Sequence, residues 1–145
     1  MRIAENTKVM TKPIPTISKY MTTAPHAIGI DQPLTLAHTI MRKYSIRHLP
    51  VLDGGVLVGM LSDRDLSLIE SLKDINPKEV HVEDAMSNQV YSVSPEAPLD
   101  EVVSAMAEHK YGCAVIMQNS HVVGVFTTVD VCRAFAELLH SRLAT

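Results

Sequence analysis

Apolar and polar positions alternate along this chain in a pattern that occurs twice. His26 to Ile30 reads as a short strand after a loop at Met21-Thr22-Thr23-Ala24-Pro25. Asp31-Gln32-Pro33 then predicts a helix start, with Asp31 near the cap and Pro33 in the first turn. Leu34, Ala37, Met41 and Tyr44 recur at helical spacing and are its expected buried stripe. Arg47 to Leu52 and Val56 to Leu61 read as strands around the turn signal Asp53-Gly54-Gly55. Ser62 opens a helix through Leu66, Ile69 and Leu72. Lys73 to Glu79, with Asn76-Pro77, reads as a linker. The order then returns. Val90 to Val93 is a short strand, and Pro98 opens a helix with the stripe Leu99, Val102 and Met106. Ala114 to Met117 and Val122 to Phe126 form a hairpin about Asn119-Ser120. Thr127 starts a last helix carrying Val131, Phe135 and Leu138.

The two passes share one gapless register at an offset of 65 residues. Between Tyr20 and Asp65, Met21, Pro33, Leu34, Met41, Val58, Gly59 and Asp65 are identical to their counterparts. Chance supplies about three identities over such a length. These ones fall on punctuation: a helix-starting Pro-Leu, a hairpin Val-Gly and a final Asp. The predicted fold class is therefore α+β, two β-α-β-β-α units. The divisions are a lead-in at 1–15, units at 16–72 and 80–138, a linker at 73–79 and a tail at 139–145. A unit of about 60 residues buries little core alone, so the two are expected to pack together.

Composition narrows the function. Of 145 residues, 46% are apolar and 20% charged, as in soluble globular proteins. The formal net charge of −3 argues against nucleic acid, which calls for clustered Lys and Arg. Two cysteines without a Cys-x-x-Cys argue against a disulfide framework and suit a reducing compartment, hence the cytoplasm. The longest apolar runs are far too short to span a membrane, and the first residues lack the apolar stretch of a signal peptide. Seven scattered histidines include no His-Glu-x-x-His and no Cys/His cluster, so no metal is expected. No nucleophile–base pair stands out either.

The candidate chemistry lies at the starts of the two hairpin-following helices. Gly59-Met60-Leu61-Ser62-Asp63-Arg64-Asp65 recurs as Gly124-Val125-Phe126-Thr127-Thr128-Val129-Asp130. Ser62-x-x-Asp65 and Thr127-x-x-Asp130 both fit a capping box, which needs no ligand. The same groups suit a ribonucleotide. A carboxylate accepts hydrogen bonds from the vicinal hydroxyls of ribose, and helix-start amides can meet a phosphate. The preceding glycine lets another group approach the backbone closely. Arg64 is a cation at the positive end of a helix; it is either a solvated surface residue or a partner for an anion. Val129 lacks that charge, so the phosphate argument favours the Asp65 copy. Arg47 and His48 enter the first hairpin and can bind phosphate, unless alternation turns one to solvent. Their counterparts Gly112 and Cys113, after Tyr111, are small and neutral and suit a flat base.

These runs, with Ile46-Arg47-His48-Leu49-Pro50-Val51-Leu52-Asp53, resemble a tandem pair of CBS (cystathionine β-synthase) domains, a Bateman module, over about residues 16 to 138. The resemblance implies repeats packed about a pseudo-twofold axis, with two clefts between them for AMP, ADP, ATP or S-adenosylmethionine. It implies that Ser62 and Asp65 share a cleft with Tyr91, Gly112 and Cys113, and Thr127 and Asp130 one with His26, Arg47 and His48. It places Arg64 where a basic residue faces phosphates. It further implies a non-enzymatic regulator, a homodimer through helix faces such as Leu66, Ile69 and Leu72, and a separate effector protein. The rival expectation is a ligand-independent dimeric scaffold, which the loss of charge at Val129 favours.

Overall fold

The computed structural model describes residues 13–23 and 25–143; of the expected lead-in, residues 1–12 lie outside the described residues. A 3-10 turn at Ile17–Lys19 leads into β1 (Thr22–Thr23), β2 (Ile28–Gly29), α1 (Leu34–Tyr44), β3 (His48–Asp53), β4 (Val56–Ser62) and α2 (Asp63–Glu70). After 71–81 come the short α3 (Val82–Ala85), β5 (Ser92–Val93), α4 (Leu99–His109), β6 (Cys113–Gln118), β7 (His121–Thr127) and α5 (Thr128–Leu143). The β-α-β-β-α order is present twice, as β2-α1-β3-β4-α2 and β5-α4-β6-β7-α5.

Local sequence explains most of these elements. Leu34, Ala37 and Met41 bury one stripe of α1, and Leu99, Val102 and Met106 the same stripe of α4. Both helices end on a left-handed residue, Ser45 (φ 54°) and Lys110 (φ 60°). Both hairpins turn through two left-handed residues, Gly54-Gly55 and Asn119-Ser120. Both carry a register shift at the same place, at Val51/Leu52 and Ile116/Met117.

The long-range pairing is less local. One sheet has the order β2-β3-β4, but the other is β1-β7-β6-β5. Thus β1, which precedes the first unit in the chain, pairs antiparallel with β7 of the second, Thr22 opposite Val125. Ile17 lies in the second core, together with Leu99, Val102 and Phe126. The exchange is reciprocal: Val82, at the equivalent place before the second unit, lies in the first core with Leu34 and Leu61. Both arm residues are fully buried, which contributes about 1.5–3 kcal/mol apiece. The arms also satisfy helix starts. Leu34 N–H donates to Val80 O at 3.0 Å, and Leu99 N–H to Pro15 O at 2.9 Å.

Several local expectations change as a result. Pro33, expected in the first turn, is itself the N-cap of α1 with no side-chain cap, and Val80 O of the crossing arm accepts from the first helical N–H, that of Leu34. Met21–Pro25 is not all loop, since Thr22 and Thr23 form β1. Tyr44 is 44% exposed rather than part of the buried stripe, because it ends α1 at the edge of a cleft. Leu66, expected on an exposed face, is buried at 3%, whereas Leu72 lies beyond the end of α2 and is exposed. Phe135 on α5 is 61% exposed.

The glycines of the repeated run have a structural use. A Cβ on Gly59 would fall 2.6 Å from Met86 Sδ and 2.8 Å from Ser87 O; one on Gly124 would fall 2.6 Å from Met21 Sδ and 3.0 Å from Thr22 O. The group that approaches each backbone so closely is the exchanged arm.

Candidate functional site

Both helix starts form their predicted acid-to-cap bonds. Asp65 Oδ2 accepts from Ser62 N–H at 2.8 Å and from the Ser62 hydroxyl at 3.0 Å, and the Ser62 hydroxyl accepts from Asp65 N–H at 3.2 Å. The capping box is complete there. Asp130 Oδ2 accepts from Thr127 N–H at 2.9 Å and from the Thr127 hydroxyl at 3.2 Å. Asp130 has further partners. The Thr22 hydroxyl donates to both its oxygens, at 3.3 and 3.5 Å, and Arg133 Nη1 donates to Oδ1 at 3.3 Å. Asp130 is buried, with 6% of its surface exposed. Polar oxygens buried that far need hydrogen-bond partners, and both of these have them.

Asp130 lines a cleft of about 620 Å³ between the units. This lies within the range of small-ligand pockets, about 300–1,000 Å³. Thr22 and Thr23 of the arm, Thr127 to Asp130, and Arg133 contribute the second-unit wall. His26 and Tyr44 to His48 contribute the first-unit wall. His26 and Tyr44 stack with ring centroids 3.7 Å apart, giving that wall an aromatic element. Every residue expected to share a cleft with Asp130, namely His26, Arg47, His48 and Thr127, is in it.

A sequence profile of the CBS domain family matches residues 7–69 and 82–137. The chain belongs to the CBS domain family. It is similar to the CBS domain-containing protein YhcV of Bacillus subtilis, 28% identical over 111 residues, which cover 77% of this chain and 79% of that protein. Among solved structures it resembles the AcuB protein of Vibrio cholerae, with a TM-score of 0.81 and 28% identity over 92% of this chain and 98% of that one. It also resembles the CBS domain pair of protein MJ0100 in complex with 5′-methylthioadenosine and S-adenosyl-L-methionine, with a TM-score of 0.78 and 25% identity over 87% and 99% of the two chains. The fold is thus an α+β CBS pair.

Across the two CBS repeats, the residues expected around Asp65 are placed as follows. Arg64 is exposed on the first turn of α2. Tyr91 stacks on Tyr111, with centroids 5.0 Å apart, and burial pushes its hydroxyl pKa up. Gly112 abuts His48: a Cβ there would sit 3.2 Å from His48 Nε2. Its carbonyl accepts from Thr128 N–H at 3.3 Å, so it adjoins the Asp130 cleft as well. Cys113 is buried, which pushes its thiol up to about 12. Such a thiol is packed, not nucleophilic.

His48 occupies the matching position in the first repeat. Burial holds its pKa below the ordinary 6.5, against the opposing pull of Asp63 and Asp65 and with the help of Arg47. At neutral pH it is an uncharged imidazole, able to donate and accept. Arg47 lies 4.0 Å from Asp63 across Nε and Oδ2, with most of its side chain exposed. A smaller depression of about 250 Å³ lies behind it between α1 and α2, where His38 Nδ1 meets Glu70 Oε2 at 3.0 Å.

The sequence reading missed Thr22, Tyr44, Thr128 and Arg133 as lining residues. Arg133 had a readable signal, since it lies three residues after Asp130 on one helix face. Thr22 had none, because it reaches the site only through the arm exchange. Among the described residues no group of three His, Cys, Asp or Glu is placed to hold a metal ion.

Proposed function

We propose that this chain is a regulatory CBS pair that binds an adenosine-containing ligand between its repeats, with Asp130 as the ribose-holding residue. The observation that carries this reading is the buried Asp130 carboxylate in a nucleotide-sized cleft, among hydroxyls that a ribose can replace. Thr127 supports the ribose. His26, Tyr44 and neutral His48 offer faces to a base, and Arg47 offers a cation to a phosphate. The adenosine compounds bound by the MJ0100 pair support the ligand class. AMP, ADP, ATP and S-adenosylmethionine all remain candidate regulatory ligands. A second site around Ser62, Arg64 and Asp65, with Tyr91, Gly112 and Cys113, belongs to the same proposal.

In this reading the protein is not an enzyme. The ligand bridges the two repeats and shifts their arrangement, as far as its affinity differs between the arrangements. The signal passes to an effector protein, and the exposed Phe135 and Leu139 of α5 and Leu68 of α2 offer the faces for a homodimer. The free thiols of Cys113 and Cys132 support a cytoplasmic location. No helix among the described residues is long and apolar enough to cross a membrane.

Calorimetry with AMP, ADP, ATP, 5′-methylthioadenosine and S-adenosylmethionine tests the proposal. Binding whose Asp130-cleft component is lost in Asp130→Ala is the expected result. The absence of any heat at millimolar ligand would sink it and favour the ligand-independent scaffold, for which the exposed Phe135 speaks.

A further inference from the structure

The two helix starts differ in charge at three positions. In the first repeat Asp63, Arg64 and Leu68 occupy the places that Thr128, Val129 and Arg133 hold in the second. Judged at position 64 alone, the first repeat is the basic one. The structure reverses this. Asp63 sets a carboxylate on the first turn of α2 and lies 4.0 Å from Arg47, while Leu68 is an exposed apolar residue. In the second repeat Thr128 leaves the positive end of α5 free of an added carboxylate at that place. Arg133, one turn on, lines the cleft itself.

Arg133 donates one bond to Asp130 Oδ1, at 3.3 Å, and 75% of its side chain is exposed. A guanidinium has five N–H donors, so most of its capacity faces open cleft. Among the described residues Asp130 is the lone carboxylate lining the cleft, against the two guanidiniums of Arg47 and Arg133. The guanidiniums thus outnumber the carboxylate on the cleft lining. A ribose hydroxyl that takes over Oδ1 would free Arg133 Nη1 for another acceptor on the same ligand.

We propose that Arg133 is the phosphate-recognising residue of the Asp130 cleft and makes it selective for adenosine ligands with a 5′-phosphate over those with a 5′-thioether or sulfonium. This rests on the adenosine reading above and sharpens it. A sulfonium ligand brings a positive charge toward two guanidiniums, whereas a phosphate accepts a bidentate Arg fork.

The test is calorimetry on the full chain with adenosine, AMP, 5′-methylthioadenosine and S-adenosylmethionine. The wild type, Arg133→Leu and Arg133→Lys are compared, with circular dichroism to confirm folding. Leucine is what the first repeat carries at this exposed position. In the wild type AMP is expected to bind at least about tenfold tighter than adenosine, the worth of a charge-assisted hydrogen bond. Arg133→Leu should remove most of the AMP-to-adenosine ratio, leaving the part that Arg47 supplies, and Arg133→Lys should recover some of what is lost. A wild-type ratio near one, a ratio that Arg133→Leu leaves intact, or a preference for S-adenosylmethionine overturns the inference while the adenosine reading stands. Failure of all four compounds to bind overturns both.

Discussion

The start of α2 and the start of α5 carry the same hydroxyl-x-x-Asp signature and do different work. At α2 the signature is a closed exchange: Ser62 and Asp65 satisfy each other, and Asp65 remains half-buried. At α5 the carboxylate sinks to 6% exposure and gathers Thr22, Thr127 and Arg133. The arms make part of this difference. Thr22 on the first arm reaches Asp130, whereas its counterpart Ser87 accepts from Gln89 N–H at 3.2 Å instead. One motif is therefore a closed capping box in one place and a buried carboxylate with several partners in the other, separated by what the crossing arm brings to it.

The largest expected break of this comparison lies beneath the motif. Gly59→Val and Gly124→Val each force side-chain carbon into the crossing arm, and overpacking of this kind costs about 1–3 kcal/mol. Urea unfolding should show both losses. Only Gly124→Val should also weaken binding at the Asp130 cleft, because it moves the arm segment that carries Thr22. Equal effects on binding would show that the arms do not distinguish the sites.

Asp65→Ala and Asp130→Ala come next. Loss of a cap costs about 0.5–2 kcal/mol, so both should lower the unfolding midpoint. Asp130→Ala should in addition abolish calorimetric binding of AMP at its cleft. If Asp65→Ala abolishes it and Asp130→Ala does not, the assignment of the two carboxylates is inverted.

A smaller effect separates His48 from Cys113, which sit at the same place in the two repeats. Burial holds the folded pKa of His48 below 6.5, so on acidification the unfolded chain takes up this proton first. Stability from this residue is full above the unfolded value and falls as the pH drops from 6.5 toward the lower folded value. Thermal melts at about pH 7.5 and about pH 5.5 should show a smaller loss in His48→Gln than in the wild type. The smallest effect is chemical. At about pH 8 iodoacetamide should label exposed Cys132 and spare Cys113, whose buried thiol is pushed up to about 12. Equal labelling would mean that the β6 edge opens.

Much of this protein is legible locally. Helical stripes such as Leu34-Ala37-Met41 and the turn residues Gly54-Gly55 and Asn119-Ser120 announce the elements, because periodicity and left-handed turns depend on near neighbours. His26, Arg47, His48, Thr127 and Asp130 were grouped by family resemblance, and the structure brings them into one cleft. Tyr44 was misplaced because it continues the spacing of a buried stripe while standing on its last, cleft-facing turn. Arg64 stands out as a charge at a helix start, but the guanidiniums that line the described cleft are those of Arg47 and Arg133.

The residue pattern alone specifies the repeat, its β-α-β-β-α order and the two carboxylates at equivalent helix starts. These follow from hydrophobic period, turn chemistry and capping, all of them short-range. That Ile17 and Val82 exchange cores, that Gly59 and Gly124 make room for the crossing arms, and that Asp130 meets Thr22 and Arg133 in a cleft emerge only in the packed fold. Those outcomes depend on contacts between segments far apart in the chain, and two copies of one local pattern carry no record of which arm each will meet.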